Sequence, residues 1–274
     1  MSAPGPIAGV CGWPVAHSLS PLMMSTWLEE TGLAGRYIHV PVRCEDFAGC
    51  VRARRDEGFA GLNVTVPHKQ AALDIADEAS ERARAVGAAN LLVFQAGRIH
   101  AENTDIAGLD ASLAGDDGAG PAVLIGAGGA ARAAMWRLAQ QDRQIRIVNR
   151  TRANAENLAS AFGVTATIHE TADEAALDGA RLVINASVLG MTGQPPLEAA
   201  LEAAAPGALV FDMVYAPLHT PLLNKAVALD LRISDGLSML IGQARPAFEA
   251  FFGAPAPSGD GVRARLVAAL EARA

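Results

Sequence analysis

The chain has 274 residues, of which 51% are hydrophobic and 19% are charged, and its formal net charge at pH 7 is −7. This length allows one or two domains with sizeable cores, and no stretch approaches the roughly 20 apolar residues that a membrane-spanning helix needs. The acidic balance argues against nucleic-acid partners, whose binding surfaces are basic. Residues 1–6 carry no basic segment leading into an apolar run, and Cys11, Cys44 and Cys50 have neither disulfide nor metal-ligand spacing. We therefore expect a cytoplasmic protein without a metal site.

The first half of the chain predicts alternating strands and helices. Strands are predicted at 7–10, 37–40 and 61–66. Helices are predicted between them, at 20–30 and 46–57. A hairpin follows, with strands at 89–94 and 98–101. Such alternation is typical of an α/β domain with a mostly parallel sheet.

Polar residues gather where these strands end. The loop after the first strand carries Ser18 and Ser20, although Ser20 could instead cap the next helix. Asn63 and Thr65 share one face of their strand because side chains alternate along it, and Lys69 follows. Open α/β sheets bind ligands at the carboxyl ends of strands, so these groups are candidates to line a pocket. The alternative for Lys69 is a solvated surface lysine.

A helix is expected from Asp105 to Leu113, and aspartate is among the best N-cap residues, so capping alone would explain Asp105. The loop 115–120 that follows is rich in glycine and aspartate. We place a domain boundary there.

The next stretch opens a second domain. After an apolar strand at 122–125, Gly126, Gly128 and Ala131 fit the G-x-G-x-x-(G/A) pattern of dinucleotide-binding turns. The first glycine makes the turn, the second lets the backbone approach a pyrophosphate, and the small third residue lets helix and strand pack closely. Amides at the helix N-terminus then hold the phosphate charge. A second buried strand at 144–148 completes the β-α-β unit and favours a Rossmann-type domain.

The residues after that strand indicate which dinucleotide binds. An NAD site has an acidic residue near this point to bind the ribose hydroxyls, but the chain has Asn149-Arg150-Thr151-Arg152. Arg150 and Arg152 could instead bind a 2'-phosphate, since charge-assisted hydrogen bonds from a guanidinium to phosphate are strong. The alternative for both is a solvated arginine. We expect NADP(H) as the cofactor.

The remaining segments complete this domain and add two helices. Strands are predicted at 182–185, 209–212 and 231–234. Helices are predicted at 151–162, 237–252 and 262–273.

Ordered motifs along nearly the whole chain resemble the shikimate dehydrogenase family. They are Gly12-x-Pro14-x-x-His17-Ser18-x-Ser20-Pro21, Asn63-Val64-Thr65-Val66-Pro67-x-Lys69, Gly87-Ala88-Ala89-Asn90, Asn103-Thr104-Asp105, Gly126 to Arg132, Asn149-Arg150-Thr151, Asn185-Ala186-Ser187, Asp212-Met213-Val214-Tyr215-x-Pro217 and Gly236-Leu237-x-Met239-Leu240-x-x-Gln243. The resemblance implies a substrate domain at 1–114, an NADP-binding Rossmann domain at 115–235, and C-terminal helices at 236–274 that return to the first domain. It also implies the reversible reduction of 3-dehydroshikimate to shikimate with NADPH, in the route to aromatic amino acids.

Carried over position by position, the resemblance implies three groups of site residues. The catalytic pair is Lys69 and Asp105. The residues that hold substrate are Ser18, Ser20, Asn63, Thr65, Asn90, Tyr215 and Gln243. The residues that hold the cofactor are Gly126, Ala127, Gly128, Gly129, Ala130, Asn149, Arg150, Thr151, Arg152, Ser187, Met213 and Gly236. The expected partners are small molecules only, bound by a monomer or homodimer.

These residue types suit the chemistry. A cyclohexene carboxylate needs small hydroxyl donors for its carboxylate, and amide or carboxylate groups for its ring oxygens. Hydride transfer to the ketone leaves an alkoxide, to which Lys69 can give a proton while Asp105 orients the ammonium.

Several positions depart from the family pattern. Leu91 replaces a usual threonine, Ile106 a glycine, Ser187-Val188 a threonine-serine pair, and Arg245 a small residue. Leu91 and Val188 thereby remove hydroxyls near the expected pocket, whereas Arg245 either adds a cation or is solvated. Relatives that act on quinate or aminoshikimate share the fold, so a related ring is an alternative substrate. A module that senses NADP(H) without turnover is the alternative from another class.

Overall fold

The computed structural model describes residues 5–273, which form two compact units. The first unit contains the described residues up to Ala107 together with Gln243–Ala269. The second contains Gly108–Gly242 and the described residues from Leu270 onward. The chain thus returns to the first unit near its end. The units divide inside three helices, between residues 107 and 108, 242 and 243, and 269 and 270, whereas the sequence suggested boundaries at the loop 115–120 and at 235.

Six strands form the sheet of the first unit. They are β1 (Ile7–Gly12), β2 (Arg36–Pro41), β3 (Gly61–Val64), β4 (Glu78–Ala79), β5 (Leu91–Gln95) and β6 (Arg98–Glu102). Their order across the sheet is β2-β1-β3-β5-β6-β4. β1 is parallel to β2 and β3, and β4 is parallel to β6, whereas β5 is antiparallel to β3 and β6. The sheet is mostly parallel, and the predicted hairpin is confirmed as β5 and β6.

Five helices follow these strands. They are α1 (Ser20–Thr31), α2 (Phe47–Asp56), α3 (Lys69–Asp74), α4 (Glu81–Val86) and α5 (Asp105–Ser112). The predicted helices at 20–30, 46–57 and 105–113 are confirmed. α3 and α4 were not predicted, because each has six residues, which is too short for an apolar pattern of helical period to show.

One local prediction in this unit is wrong, and one alternative is excluded. The strand predicted at 61–66 ends at Val64, because Thr65 begins a turn in which the His68 N–H donates to the Thr65 carbonyl at 3.0 Å. Pro67 lies inside that turn and has no N–H with which to continue the ladder. Ser20 is not an N-cap, since α1 begins at Ser20 itself and no side chain caps it.

Six strands form the sheet of the second unit. They are β7 (Ala122–Ile125), β8 (Ile145–Val148), β9 (Ala166–His169), β10 (Leu182–Asn185), β11 (Leu209–Asp212) and β12 (Arg232–Ser234). Their order is β12-β11-β10-β7-β8-β9, and every pairing is parallel. In chain order this is the 3-2-1-4-5-6 arrangement of Rossmann folds. β9 was not predicted, because its four residues alternate poorly and none is fully buried.

The later helices complete the chain. They are α6 (Gly129–Leu138), α7 (Arg152–Ala161), α8 (Glu174–Leu177), α9 (Pro221–Ala228), α10 (Gly236–Phe252) and α11 (Gly259–Glu271). α8 and α9 were not predicted. In the first unit, Phe248 of α10 packs edge-on against Trp27 of α1 with 5.6 Å between ring centroids. This contact fixes the returning part of α10 on that unit's core.

The loop 115–120 is held by arginines of the second unit. Arg143 Nη1 donates to Asp116 Oδ2 at 2.8 Å, and Arg143 Nε donates to the Gly120 carbonyl at 2.9 Å. Both side chains of this ion pair are buried, at 0% and 3% exposed. These contacts explain why the loop belongs to the second unit rather than forming a free linker.

Among residues 5–273, no helix is long and apolar enough to cross a membrane. The same part of the chain contains no cluster of three or more His, Cys, Asp or Glu side chains that could hold a metal ion. The expectation for residues 1–6 falls mostly outside the described residues.

Candidate active site

Polar residues of the first unit meet at one edge of its sheet. β1 and β3 are parallel, and their carboxyl ends lead into the loops that carry Ser18 and Thr65. β6 runs in the direction of β3, because β5 is antiparallel to both, so Asp105 follows at the same edge. Asn90 precedes β5, and its carbonyl accepts from the Val64 N–H at 2.8 Å. This edge is where open α/β sheets bind ligands.

Lys69 and Asp105 form an ion pair with 2.6 Å between Nζ and Oδ2. The lysine side chain is 12% exposed and the aspartate side chain 1% exposed. The other carboxylate oxygen, Oδ1, accepts from Asn90 Nδ2 at 2.9 Å. The alternative of a solvated lysine is therefore wrong. Helix capping does not account for Asp105, because both of its oxygens accept from distant side chains.

Asn90 connects this pair to α10. Its Nδ2 donates to Asp105 Oδ1 at 2.9 Å and to Gln243 Oε1 at 3.0 Å. Its Oδ1 accepts from the backbone N–H of Thr104 at 2.6 Å and from the Thr104 hydroxyl at 3.2 Å. Asn90 is 2% exposed, so these bonds form away from bulk water, where each one restrains the next. One chain of hydrogen bonds therefore runs from Lys69 through Asp105 to Gln243.

Ser18 and Ser20 place two small hydroxyls side by side. Ser18 Oγ donates to Ser20 Oγ at 3.2 Å and accepts from the Ser20 N–H at 3.3 Å. The Ser18 carbonyl lies 3.1 Å from His39 Nε2, which ties the loop to the end of β2. Two adjacent hydroxyls can donate to the two oxygens of one carboxylate.

Asn63 is held by a residue that sequence reasoning missed. The Tyr37 hydroxyl donates to Asn63 Oδ1 at 2.7 Å, and Asn63 Nδ2 donates to the Asn90 carbonyl at 3.3 Å. Burial raises the pKa of Tyr37, so its hydroxyl stays a neutral donor. Thr65 is half-buried beyond the end of β3, and a Cβ on Gly12 would lie 2.4 Å from its methyl carbon. Gly12 thus makes room for Thr65.

His68 fixes the backbone from which Lys69 projects. Its ring stacks on Phe47 with 4.5 Å between centroids, and its Nε2 lies 2.8 Å from the Val42 carbonyl oxygen. The Lys69 carbonyl accepts from the Ala89 N–H at 2.8 Å. The first turn of α3 is therefore tied down on two sides. Sequence reasoning could not find this support, since Val42 and Phe47 lie outside the lysine motif.

In the second unit, the glycine turn after β7 leaves room for an anionic group. Gly126 has φ of +107°, and a Cβ there would lie 3.1 Å from the backbone of Ala186 and Ser187. A Cβ on Gly128 or Gly129 would meet nothing within 4 Å. Gly128 is the N-cap of α6, and no side chain caps that helix. Open space beside uncapped helix amides fits a dinucleotide pyrophosphate. The neighbouring Ala127 and Ala130 keep the turn small.

The segment after β8 carries the predicted residues for the adenosine half of a cofactor. Asn149 Nδ2 donates to the Thr151 carbonyl at 2.8 Å. Thr151 is the N-cap of α7, but its side chain makes no capping bond. Arg152 Nε pairs with Glu156 Oε1 one turn further on, at 2.9 Å, whereas Arg150 is exposed at the end of β8. The two arginines therefore have different surroundings, and Arg150 is the better candidate for a 2'-phosphate.

The remaining predicted residues of the second unit follow β10 and β11. Ser187 and Met213 are half-buried, and the Met213 N–H donates to the Asn185 carbonyl at 3.0 Å. Gly236 begins α10, and a Cβ there would lie 2.5 Å from the Met213 carbonyl oxygen. Tyr215 is half-buried in this unit, whereas the other predicted substrate residues belong to the first unit.

The departures from the family pattern have distinct surroundings. Leu91 is 3% exposed, Ile106 is 4% exposed, and Val188 is 53% exposed. Arg245 is exposed, and its Nη2 donates to the Ala256 carbonyl at 3.4 Å. Two residues along a helix are about 200° apart around its axis, so Arg245 does not place a cation beside Gln243.

The second unit has a sheet of Rossmann order with an open glycine turn. The first unit has a buried lysine–aspartate pair among small polar groups. Together these features define a nicotinamide-dependent oxidoreductase. Residues 10–92 match the family model described as shikimate dehydrogenase substrate binding domain, and residues 114–191 match the model described as shikimate / quinate 5-dehydrogenase. Shikimate dehydrogenase (NADP(+)) from Paracoccus denitrificans strain Pd 1222 is 46% identical over 96% of this chain and 96% of its own length. The chain belongs to the shikimate dehydrogenase family.

Solved structures give the same family likeness. Shikimate 5-dehydrogenase from Thermus thermophilus, in complex with NADP(H) and shikimate, is 35% identical with a TM-score of 0.85, over 96% of this chain and 99% of that chain. Quinate dehydrogenase from Corynebacterium glutamicum, in complex with NAD, is 28% identical with a TM-score of 0.86, over 97% of this chain and 100% of that chain. One fold thus serves two ring substrates and two cofactors, so side chains must distinguish them.

Proposed function

We propose that this chain catalyses the reversible, NADP-dependent reduction of 3-dehydroshikimate to shikimate, in the biosynthesis of aromatic amino acids. The observation that carries the proposal is the ion pair of Lys69 and Asp105, with 2.6 Å between its charged atoms. Desolvating such a pair costs free energy, so the pair is weakly explained by stability alone. A module that only senses the cofactor has no need of it. The 46% identity to a shikimate dehydrogenase (NADP(+)) supports the same activity.

Lys69 acts as the proton donor. Bound NADPH supplies a hydride to the ketone carbon of the substrate. The Lys69 ammonium gives a proton to the oxygen as negative charge develops there, and in the reverse direction the amine takes the hydroxyl proton. Asp105 orients the ammonium, and Asn90 fixes Asp105 through its other carboxylate oxygen. A positioned acid or base of this kind contributes about 10²–10⁴-fold to the rate.

The other polar groups at the sheet edge hold the ring. Ser18 and Ser20 donate to the substrate carboxylate, since their hydroxyl oxygens lie 3.2 Å apart. The ring hydroxyls are bound by amide and hydroxyl side chains, namely Asn63, Thr65, Asn90 and Gln243. Tyr215 is the remaining residue to which we assign substrate binding.

The second unit selects NADP(H) over NAD(H). The open space at Gly128 and Gly129 takes the pyrophosphate, and Arg150 binds the 2'-phosphate. Asn149, Thr151 and Arg152 border the same phosphate. Ser187, Met213 and Gly236 contact the nicotinamide half. Residues 149–152 contain no acidic side chain. Such a side chain would bind an unphosphorylated ribose and repel the 2'-phosphate.

Steady-state kinetics of the purified chain test this function. We expect NADPH oxidation with 3-dehydroshikimate, and NADP⁺ reduction with shikimate at a kcat/KM well above that with quinate. A higher kcat/KM with quinate would move the assignment to the alternative ring substrate. NADPH binding without turnover of any of these compounds would leave the sensing module as the function.

The proposal carries two further expectations. The enzyme is cytoplasmic, and its partners are small molecules rather than nucleic acid or membrane. It is a monomer or a homodimer, which light scattering on the purified protein distinguishes.

A further inference from the structure

A buried chain of polar side chains joins the ends of β10 and β11. Asp212 Oδ1 accepts from Asn185 Nδ2 at 2.9 Å and from the Val214 N–H at 3.0 Å, and its Oδ2 accepts from the Thr220 hydroxyl at 2.7 Å. Asn185, Asp212 and Thr220 are each 0% exposed. Asp212 therefore holds three separate points of the polypeptide, at residues 185, 214 and 220, at one buried position.

This carboxylate is unusual because its hydrogen-bond partners within residues 5–273 are all neutral. Burial raises the pKa of Asp212 above its usual range. A buried carboxylate without a paired cation is unfavourable for folding, because neutral donors offset the desolvation of its charge only in part. The proposed proton transfer does not use Asp212, so another role must account for it.

The chain of polar groups extends to both loops that follow these strands. Asn185 Oδ1 accepts from the Ser187 N–H at 3.0 Å and from the Ser187 hydroxyl at 2.7 Å. The Met213 N–H donates to the Asn185 carbonyl at 3.0 Å. Thr220 Oγ1 accepts from the Leu223 N–H at 3.2 Å and so caps α9. Asp212 is thus bonded to the two residues, Asn185 and Thr220, that fix these loops.

The loop after β10 borders the glycine turn. The Ala186 N–H donates to the Ile125 carbonyl at 2.8 Å, and Gly126 packs against the backbone of Ala186 and Ser187. In the order 3-2-1-4-5-6, β7 and β10 flank the point where the strand order reverses, and dinucleotides bind there. The buried polar chain therefore begins beside the cofactor crevice.

We propose that Asp212 is a positioning residue for the nicotinamide half of the cofactor: through Asn185 and Thr220 it sets the loops that carry Ser187 and Met213. This inference rests on the proposed function, which assigns those two residues to the nicotinamide. Asp212 does not position the adenosine half, because the described residues of the turn at 149–152 share no hydrogen bond with it. Loss of the carboxylate should therefore affect one half of the dinucleotide and leave the other unchanged.

Asp212→Asn keeps the side-chain volume but replaces one acceptor oxygen by a donor. Binding is measured for NADPH and for adenosine 2',5'-bisphosphate, which carries the adenosine and the 2'-phosphate without a nicotinamide. We expect the Kd of NADPH to rise about 10–100-fold, the effect of losing charge-assisted hydrogen bonds. The Kd of the bisphosphate should change less than about twofold, and kcat should fall. Asp142→Asn, at an exposed aspartate of the same unit, is the matched control and should change neither Kd.

Variants of Thr220 test the same hydrogen-bonded side chains if Asp212→Asn fails to fold. Thr220→Val removes the donor to Asp212 and should weaken NADPH selectively, whereas Thr220→Ser keeps the hydroxyl and should restore wild-type binding. Equal weakening of both ligands would assign Asp212 to the general stability of the unit, and unchanged NADPH binding would also overturn the proposal. If the wild type bound no NADPH, the proposed function would fail instead.

Discussion

The assignment of Lys69 as proton donor can be tested by its removal. Asp105 is 1% exposed in the wild type, and Lys69→Ala removes its cation at 2.6 Å while leaving the hydrogen bond from Asn90. We expect kcat to fall about 10²–10⁴-fold, which corresponds to about 3–5 kcal/mol of lost transition-state stabilisation. KM for substrate should change far less, since the carboxylate and hydroxyl contacts lie on other residues.

The same change should destabilise the fold. Removing one partner of a buried ion pair leaves an uncompensated charge and costs about 3–5 kcal/mol. Lys69 is 12% exposed, which lets water reach the pair and puts the expected loss at the lower end of that range. Lys69→Met keeps the apolar stem and separates lost packing from lost charge. Denaturant unfolding of both variants measures the difference.

A double-mutant cycle with Asp105→Asn completes the test. Asp105→Asn should also depress turnover, because the ammonium loses the group that orients it. The double variant should be much less impaired than the product of the two single losses, since residues that act as a unit are not additive. A Lys69→Ala enzyme that keeps nearly full kcat, folds, and binds NADPH would refute the proton-donor role. A raised KM with intact kcat would make Lys69 a ground-state anchor instead.

Three further predictions concern the second unit. Arg150→Ala should raise KM for NADPH about 10–100-fold through the loss of one charge-assisted phosphate contact. Arg152→Ala should raise this KM less. Equal effects in steady-state kinetics would contradict the assignment of the 2'-phosphate to Arg150. Arg143→Ala should lower the free energy of unfolding by about 3–5 kcal/mol by stranding Asp116, whereas Arg152→Ala, which breaks an exposed pair, should cost under about 1 kcal/mol in the same urea titration. Folding raises the pKa of Asp212. Between about pH 4, the unfolded pKa, and the native pKa, the folded protein therefore binds more protons than the unfolded chain. Its free energy of unfolding, relative to that of Asp212→Asn, should fall as pH rises through this interval. A pH-independent difference would exclude that titration.

The features that the sequence predicted are local ones. The turn at Gly126 to Ala131 and the hairpin of β5 and β6 are set by residues a few positions apart, so composition and spacing are enough to predict them. Asn63, Lys69 and Asp105 each lie just beyond or near a strand end, where the α/β architecture brings polar groups together. The predicted roles of these residues await the experiments above.

Long-range partners could not be predicted from patterns. Asn90 and Gln243 are 153 positions apart in the chain, so only the family resemblance suggested that they belong to one site. Tyr37 lies on β2, which is separated from β3 by β1, so no alternation of side chains relates it to Asn63. The support of Asp105 by Asn90 likewise depends on packing between elements rather than on either motif.

The predicted substrate groups are hydrogen-bonded to one another in this structure, and this arrangement bears on specificity. Asn90 Nδ2 has two hydrogens and three acceptors within reach, namely Asp105 Oδ1, Thr104 Oγ1 and Gln243 Oε1, while Ser18 donates to Ser20. A substrate oxygen that reaches Asn90 or Ser18 therefore replaces an existing hydrogen bond, and the net gain is the difference between two similar bonds. An analogue that lacks that oxygen leaves the protein groups paired with each other instead of stranded. Discrimination by these groups is consequently weaker than at a site whose buried donors would be left unpaired, where rejection reaches about 10⁴–10⁵-fold. Strong selection between shikimate and its relatives must then come from shape, and Leu91 lies directly opposite Asn63 in the antiparallel pairing of β3 with β5, on the same face of the sheet.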